Sequence, residues 1–273
     1  MTAIAKGLSV RHVHKSFALK ESRLEVLKDI DLEIAAGEFV AIIGASGSGK
    51  TTLLRILAGL EASDSGTIHL NGEPVQGVGP ERAMVFQEPR LLPWLTVEAN
   101  VAMGLELIGN SSAQALEKAR HYLDIVGLTA FYHAYPRQLS GGMAQRVGIA
   151  RGLAISPQML LLDEPLGALD AMKKIRMQQE LERIWREQAI TMVMVTHDIE
   201  EAVYLADRIV ILASDQSTAL QIMDIDLPRP RARSDPRFVA YREALLNTFH
   251  LNNHLNDHLN DPQSSTLGKE NVS

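Results

Sequence analysis

The run Gly44-Ala45-Ser46-Gly47-Ser48-Gly49-Lys50-Thr51 constrains this chain more than any other stretch. It fits G-x-x-x-x-G-K-[ST], a loop whose backbone amides surround phosphate oxygens. The flanks agree with the letters. Glu38-Phe39-Val40-Ala41-Ile42-Ile43 reads as a buried strand entering the loop, and Thr52-Leu53-Leu54-Arg55-Ile56-Leu57-Ala58 reads as a helix leaving it, stopped by Gly59. Glycine lets the backbone close on an anion without a Cβ in the way. The helix N-terminus adds favourable potential for negative charge. Lys50 is placed to reach the β- and γ-phosphates, and the Thr51 hydroxyl to meet Mg²⁺.

Two further motifs follow in order. Leu139-Ser140-Gly141-Gly142-Met143-Ala144-Gln145-Arg146 begins with a helix cap at Ser140. Val147, Ala150, Leu153 and Ala154 then form one apolar face. Gly141 and Gly142 expose amides at that helix start and make a second candidate anion site. Met159-Leu160-Leu161-Leu162-Asp163-Glu164-Pro165 is a short apolar run ending in two carboxylates. In open parallel sheets that end is where ligands bind. Successive strand residues face opposite ways, which allows Asp163 to hold Mg²⁺ while Glu164 acts as general base on a water.

With these motifs in sequence, residues of about 8–212 resemble the ATP-binding subunits of ABC transporters. The resemblance implies an α/β P-loop NTPase fold: a RecA-like parallel core, an antiparallel β layer and a helical signature subdomain. It implies ATP and Mg²⁺ as ligands. Nucleotide contacts carry over to Phe17, Gly44, Ala45, Ser46, Gly47, Ser48, Gly49, Lys50, Thr51 and Thr52, and to Ser140, Gly141, Gly142 and Asp170. Metal contacts carry over to Thr51, Gln87 and Asp163. Catalytic roles carry over to Glu164, His197, Gln87 and Lys50: Gln87 as the Q-loop residue, Asp170 in the D-loop, His197 as the switch histidine. Phe17 stands where the family more commonly has Tyr to stack on adenine, so core packing is its alternative role.

The same resemblance implies partners. A second copy pairs head to tail, so that Ser140 and the Gly142 amide of one copy cap the ATP on the other's phosphate loop. Integral membrane permease subunits dock near Leu91-Leu92-Pro93-Trp94-Leu95, and a periplasmic solute-binding protein takes part indirectly. These place the chain peripherally, on the cytoplasmic face of the cell (inner) membrane. Phe86 to Val97 and Asp163 to Ala171 are similar to the nitrate/sulfonate/taurine importers, most of all to aliphatic sulfonate import ATPases. Leu166, where the family often has Phe, agrees with that branch. A soluble ABC ATPase of DNA repair or translation, and a non-hydrolysing interaction module, are the alternatives. The single ATPase copy without heptad insertions disfavours the first, and the intact Lys50, Asp163, Glu164 and His197 disfavour the second.

Composition sets outer limits. The 273 residues carry a formal charge of −6 and no Lys/Arg-rich cluster, which argues against nucleic acid as a partner. With no cysteine, disulfides and thiolate metal sites are excluded. Neither a secretory signal nor a bilayer-length apolar run is legible, so membrane attachment is expected to come through a partner.

The organisation expected is an ATPase domain over 8–228, with a helical subdomain of about 91–155. A helical extension over 229–249 and a disordered low-complexity tail over 250–273 follow. Within the domain, 8–14 and 24–34 alternate as strands, and Asn71-Gly72 signals a hairpin turn. From Pro157 onward, strands at 159–163, 191–195 and 208–212 alternate with helices at 171–188 and 198–206. The tail repeats His-Leu-Asn with a period of four residues. That would align His250, His254 and His258 as metal ligands were it helical, although Asn and Asp form helices poorly.

Overall fold

A computed structural model describes residues 7–20, 22–167, 169–212 and 220–259. Its centre is a six-stranded sheet. In chain order the strands are β3 (Phe39–Gly44), β6 (Arg82–Val85), β7 (Met159–Asp163), β8 (Thr191–Val195), β9 (Arg208–Leu212) and β10 (Gln221–Asp224). Spatially they run β10-β9-β3-β8-β7-β6. All pairs are parallel except β9 with β10. A second, antiparallel sheet joins β1 (Gly7–Ala18), β2 (Arg23–Ala35), β4 (Ser65–Leu70) and β5 (Glu73–Pro74) in the order β2-β1-β4-β5.

The parallel strands are mostly apolar because both their faces are covered. Along β3, Phe39, Ala41 and Ile43 enter the core under the helices, while Val40 and Ile42 enter the core shared with the antiparallel layer. The antiparallel strands alternate instead, with Val10, Ile30, Leu32 and Ile34 buried and polar neighbours facing water. Asn71 and Gly72 form the two-residue β4–β5 turn with φ of 52° and 86°, positive at both positions as such a hairpin requires.

Helix α1 (Lys50–Leu57) follows β3. Helices α2 (Val97–Leu107), α3 (Ser112–Ile125) and α4 (Gly141–Ala154) make up a helical region between β6 and β7. Thr96, Ser111 and Ser140 cap them with their side chains. Helix α5 (Ala171–Gln188) buries Met177, Leu181 and Ile184, the spacing of one helical face. Beside that face Trp185 meets Phe39 edge-on, with ring centroids 5.9 Å apart. Helix α6 (Ile199–Leu205) connects β8 to β9, and α7 (Pro236–Leu259) packs on α6. The expected boundary at 249 falls inside α7, which runs on through the first part of the His-Leu-Asn repeat. The side chains of His250, His254 and His258, and the tail from residue 260, lie outside the described residues, as does Ala168 of the Asp170 loop. Among the described residues no helix is long and apolar enough to cross a membrane.

Candidate nucleotide site

Strand order alone assembles the site. The C-terminal ends of β3, β8, β7 and β6 are neighbours, and each is followed by one of the singled-out residues. The phosphate loop follows β3, Thr196-His197 follows β8, Asp163-Glu164 closes β7, and Gln87 lies just past β6. The register is tight: Ile42 pairs with Val195, Val195 with Asp163, and Val85 with Leu162. Residues more than a hundred positions apart thus meet at one edge of the sheet, where ligands bind in folds of this kind.

In the loop, Gly49 caps α1 with φ 91°, a conformation strained for any residue with a Cβ. A Cβ at Gly49 would come 2.9 Å from Val26 and Leu27, and one at Gly44 would come 2.5 Å from the Leu212 carbonyl. The loop is therefore wedged between β2 and β9 and cannot relax. Lys50 Nζ donates to the carbonyls of Gly44 at 2.9 Å and Ala45 at 2.7 Å. Burial lowers the Lys50 pKa, and the charges of Glu164 and Asp163 partly offset this. Ser48 Oγ is buried without a hydrogen-bond partner, so the loop holds a polar atom that only a ligand or water could satisfy.

Across the loop, the Thr51 hydroxyl donates to Asp163 Oδ1 at 3.2 Å. Burial pushes the Asp163 pKa up, against the pull of that hydrogen bond. A hydroxyl beside a carboxylate is the oxygen donor set that suits Mg²⁺. Glu164 turns the other way, with φ 45°. Its Oε2 lies 3.5 Å from Gln87 Nε2 and 3.4 Å from His197 Nδ1. One carboxylate is thus held by an amide and an imidazole, while its neighbour faces the phosphate loop. The residues present fit a Mg²⁺-bound nucleotide triphosphate: an unsatisfied hydroxyl and a buried ammonium for phosphate, oxygen donors for the ion, a free-faced carboxylate for water.

The remaining sequence-predicted residues sit elsewhere. Phe17, 38 % exposed, pairs with Leu24 beside the turn that joins β1 to β2. Its ring centroid lies 5.0 Å from Lys15 Nζ. Ser140 accepts from the Met143 amide at 3.3 Å. Ser140, Gly142 and Arg146 share a concavity with Leu169, Lys173 and Arg176, and no phosphate-loop residue lines it. Asp170 caps α5, accepting from the Lys173 amide at 3.0 Å. The structure therefore gathers Gly44–Thr51, Gln87, Asp163, Glu164 and His197, and leaves Ser140–Gly142 apart with the start of α5. Sequence reasoning missed Thr196, Lys174 and Glu201, which surround the backbone of His197. The available signal was spacing: Lys174 follows the α5 cap Asp170 by one helical turn, and Glu201 stands three residues after the α6 cap Asp198.

Comparison with known proteins matches this arrangement. A family profile described as ABC transporter covers residues 27–167. The nitrate import ATP-binding protein NrtD of Synechocystis sp. is 46 % identical over 247 residues, spanning 87 % of this chain and 93 % of its own length. The aliphatic sulfonates import ATP-binding protein SsuB of Bacillus licheniformis is 45 % identical over 243 residues, 89 % of this chain and 94 % of its own. Among solved structures, a dimeric ATP-binding cassette in a post-hydrolysis state with ADP and Pi superposes with TM-score 0.71. It is 31 % identical and covers 81 % of this chain and all of that one. Motif order, strand-edge geometry and relatives along most of the chain lead to one conclusion: this protein belongs to the ATP-binding subunits of the ABC transporter family.

Proposed function

We propose that this chain is the ATP-hydrolysing subunit of an ABC importer for a small anion, aliphatic sulfonates first, working as a head-to-tail pair. The observation that carries the hydrolytic reading is the placement of Glu164, held between Gln87 and His197 and turned away from Asp163. Lys50, Ser48 and the loop amides bind the phosphates, with Thr52 continuing the contacts at the helix start. Phe17 stacks on the base. Thr51 and Asp163, with Gln87, hold Mg²⁺, which when bound neutralises charge building on the β- and γ-oxygens. Glu164 accepts the proton of the attacking water, and His197 steadies Glu164 and the γ-phosphate side. Proton transfer by a positioned carboxylate contributes about a hundredfold or more.

Ser140 and Gly142 of one copy close the site of the other, and Asp170 lies at that seam. Support comes from the separation of the Ser140 concavity from the phosphate loop within one chain. The solved cassettes this chain superposes on are dimers. Loss of the γ-phosphate removes cross-contacts and shifts the pair toward an open state. Trp94 is 70 % exposed while Leu91 packs on the core, which leaves the indole free for a permease helix. We assign the ATPase domain to 8–228 and the C-terminal extension to the residues after it. The permease holds the chain at the cytoplasmic face of the membrane, and a periplasmic solute-binding protein delivers the cargo.

Relatives named for nitrate and for sulfonate import stand at 46 % and 45 % identity, so overall likeness does not separate the cargoes. The sulfonate reading rests on the wording of Phe86 to Val97 and Asp163 to Ala171. Uptake of labelled alkanesulfonate, taurine and nitrate by a strain lacking this gene, with and without the chain restored, tests it. Restored sulfonate uptake is expected, and restored nitrate uptake alone would replace sulfonate with nitrate. Glu164→Gln tests hydrolysis: ATP binding remains and phosphate release falls about a hundredfold or more.

A further inference from the structure

His197 owes its position to groups that the hydrolytic reading leaves unused. Thr196 Oγ1 donates to Glu201 Oε2 at 2.7 Å and accepts from the Asp198 amide at 3.0 Å. Asp198 Oδ1 in turn accepts from the Glu201 amide at 3.1 Å. The residues on both sides of His197 are therefore folded onto each other. The Thr196 amide donates to the Ile42 carbonyl at 3.2 Å, which ties this knot to the strand that enters the phosphate loop.

A single cation reaches the knot from outside. Lys174 Nζ lies 2.9 Å from Asp198 Oδ2 and 2.8 Å from Glu201 Oε1. Lys174 sits in the first turn of α5, its amide bonded to the Asp170 carbonyl at 2.8 Å. Glu201 is 2 % exposed. Burying a carboxylate beside a lysine is a poor way to add stability, since apolar side chains of similar size serve as well or better. What such a cluster does supply is a fixed geometry, and this one joins the His197 segment to the start of α5.

We propose that Lys174 and Glu201 are positioning residues that clamp the His197 segment to the start of α5, so that Asp170 and His197 move as one body. This rests on the ATPase reading above. Under it, Asp170 lies at the seam with the second copy and His197 lies at the γ-phosphate. Seating of the partner copy against Asp170 is then passed through one helical turn and one ion pair to His197. Glu201 holds Thr196 through the hydroxyl hydrogen bond, and Lys174 sets a cation beside it: burial raises the Glu201 pKa, and the Lys174 and Thr196 hydrogen bonds oppose that rise.

The test is steady-state ATPase of the full chain with Mg-ATP, below the melting temperature of every variant. Lys174→Met is expected to lower kcat about tenfold or more while KM for ATP stays within about twofold. Lys174→Arg is expected to restore most of the loss. In a His197→Ala background, Lys174→Met is expected to cost nothing further, because it acts through His197. Wild-type kcat in Lys174→Met overturns the proposal. So does a loss that falls equally on a His197→Ala background. Should Lys174→Met fail to fold, Glu201→Gln, which keeps an acceptor for Thr196, takes its place: reduced kcat with unchanged KM supports the clamp, and wild-type kcat overturns it. A wild-type chain without ATPase activity would instead defeat the parent reading.

Discussion

Lys50 shows how a single residue is tuned by its surroundings. Its ammonium is desolvated and met only by two backbone carbonyls within one loop. Phosphate oxygens are better partners for a buried cation than neutral carbonyls, since charge-assisted hydrogen bonds are roughly twice as strong. Lys50→Ala should therefore lose ATP affinity and cut kcat/KM about a hundredfold or more, measured by nucleotide binding and phosphate release. His12 offers a separate check on local electrostatics. Its Nδ1 lies 2.8 Å from Asp29 Oδ1, and that hydrogen bond, with the charges of Asp31 and Asp29, raises the imidazole pKa. An NMR titration should place its midpoint above 6.5, and Asp29→Asn should lower it. Because the folded value is raised, the stabilisation is complete below the unfolded pKa and fades as pH climbs through the folded one. At residue scale the sequence exposed the motif-borne groups, from Lys50 to His197. It did not expose Lys174 or Glu201, because their meaning comes from who stands opposite, and that is a property of the tertiary fold.

Among the elements, the alternation after Pro157 was fully legible: β7, α5, β8 and β9 occupy the spans expected for them. Each is either a continuous apolar run or a helix with one apolar face, so period and length agree. Two strands were not legible. β6 has four residues and begins with Arg82, which is buried because its guanidinium donates to the Leu57 and Gly77 carbonyls. β10 is an exposed edge strand, Gln221-Ile222-Met223-Asp224, with no face to bury and hence no pattern. Arg231, which no sequence pattern singled out, is a buried staple. It donates to the carbonyls of Val203 at 2.7 Å, Ala206 at 2.5 Å and Ile225 at 3.1 Å, which fastens the end of α6 to the segment after β10. Burial, with repulsion from Arg229, lowers its pKa to about 10. Arg231→Met should leave those carbonyls unpaired and cost about 1–3 kcal/mol, read as a lower denaturant midpoint at unchanged slope. In the segment before α2, Trp94→Ala should leave the ATPase rate of the isolated chain unchanged. Assembly with permease subunits in co-purification should fall, because the indole is 70 % exposed and free for a partner.

For the whole molecule, two candidate anion sites lie apart on one chain. The phosphate loop with its carboxylates is one, and the Ser140 concavity, lined by Arg146, Lys173 and Arg176, is the other. Three cations against one carboxylate, Glu180, line the concavity, a net positive wall that would suit a polyanion supplied by a facing copy. A ligand shared across such a seam stabilises only the closed pair, so its cleavage is a difference in contacts between two states and can drive motion. The pairing was implied by the family resemblance, and within one chain the start of α4 lies apart from the loop that follows β3. The most direct measurement is the mass in solution of Glu164→Gln with and without Mg-ATP, alongside bound nucleotide per chain. The account predicts single chains without nucleotide and, with it, a pair holding one ATP per copy that Ser140→Arg abolishes; a variant that binds ATP fully yet keeps the mass of one chain would contradict it.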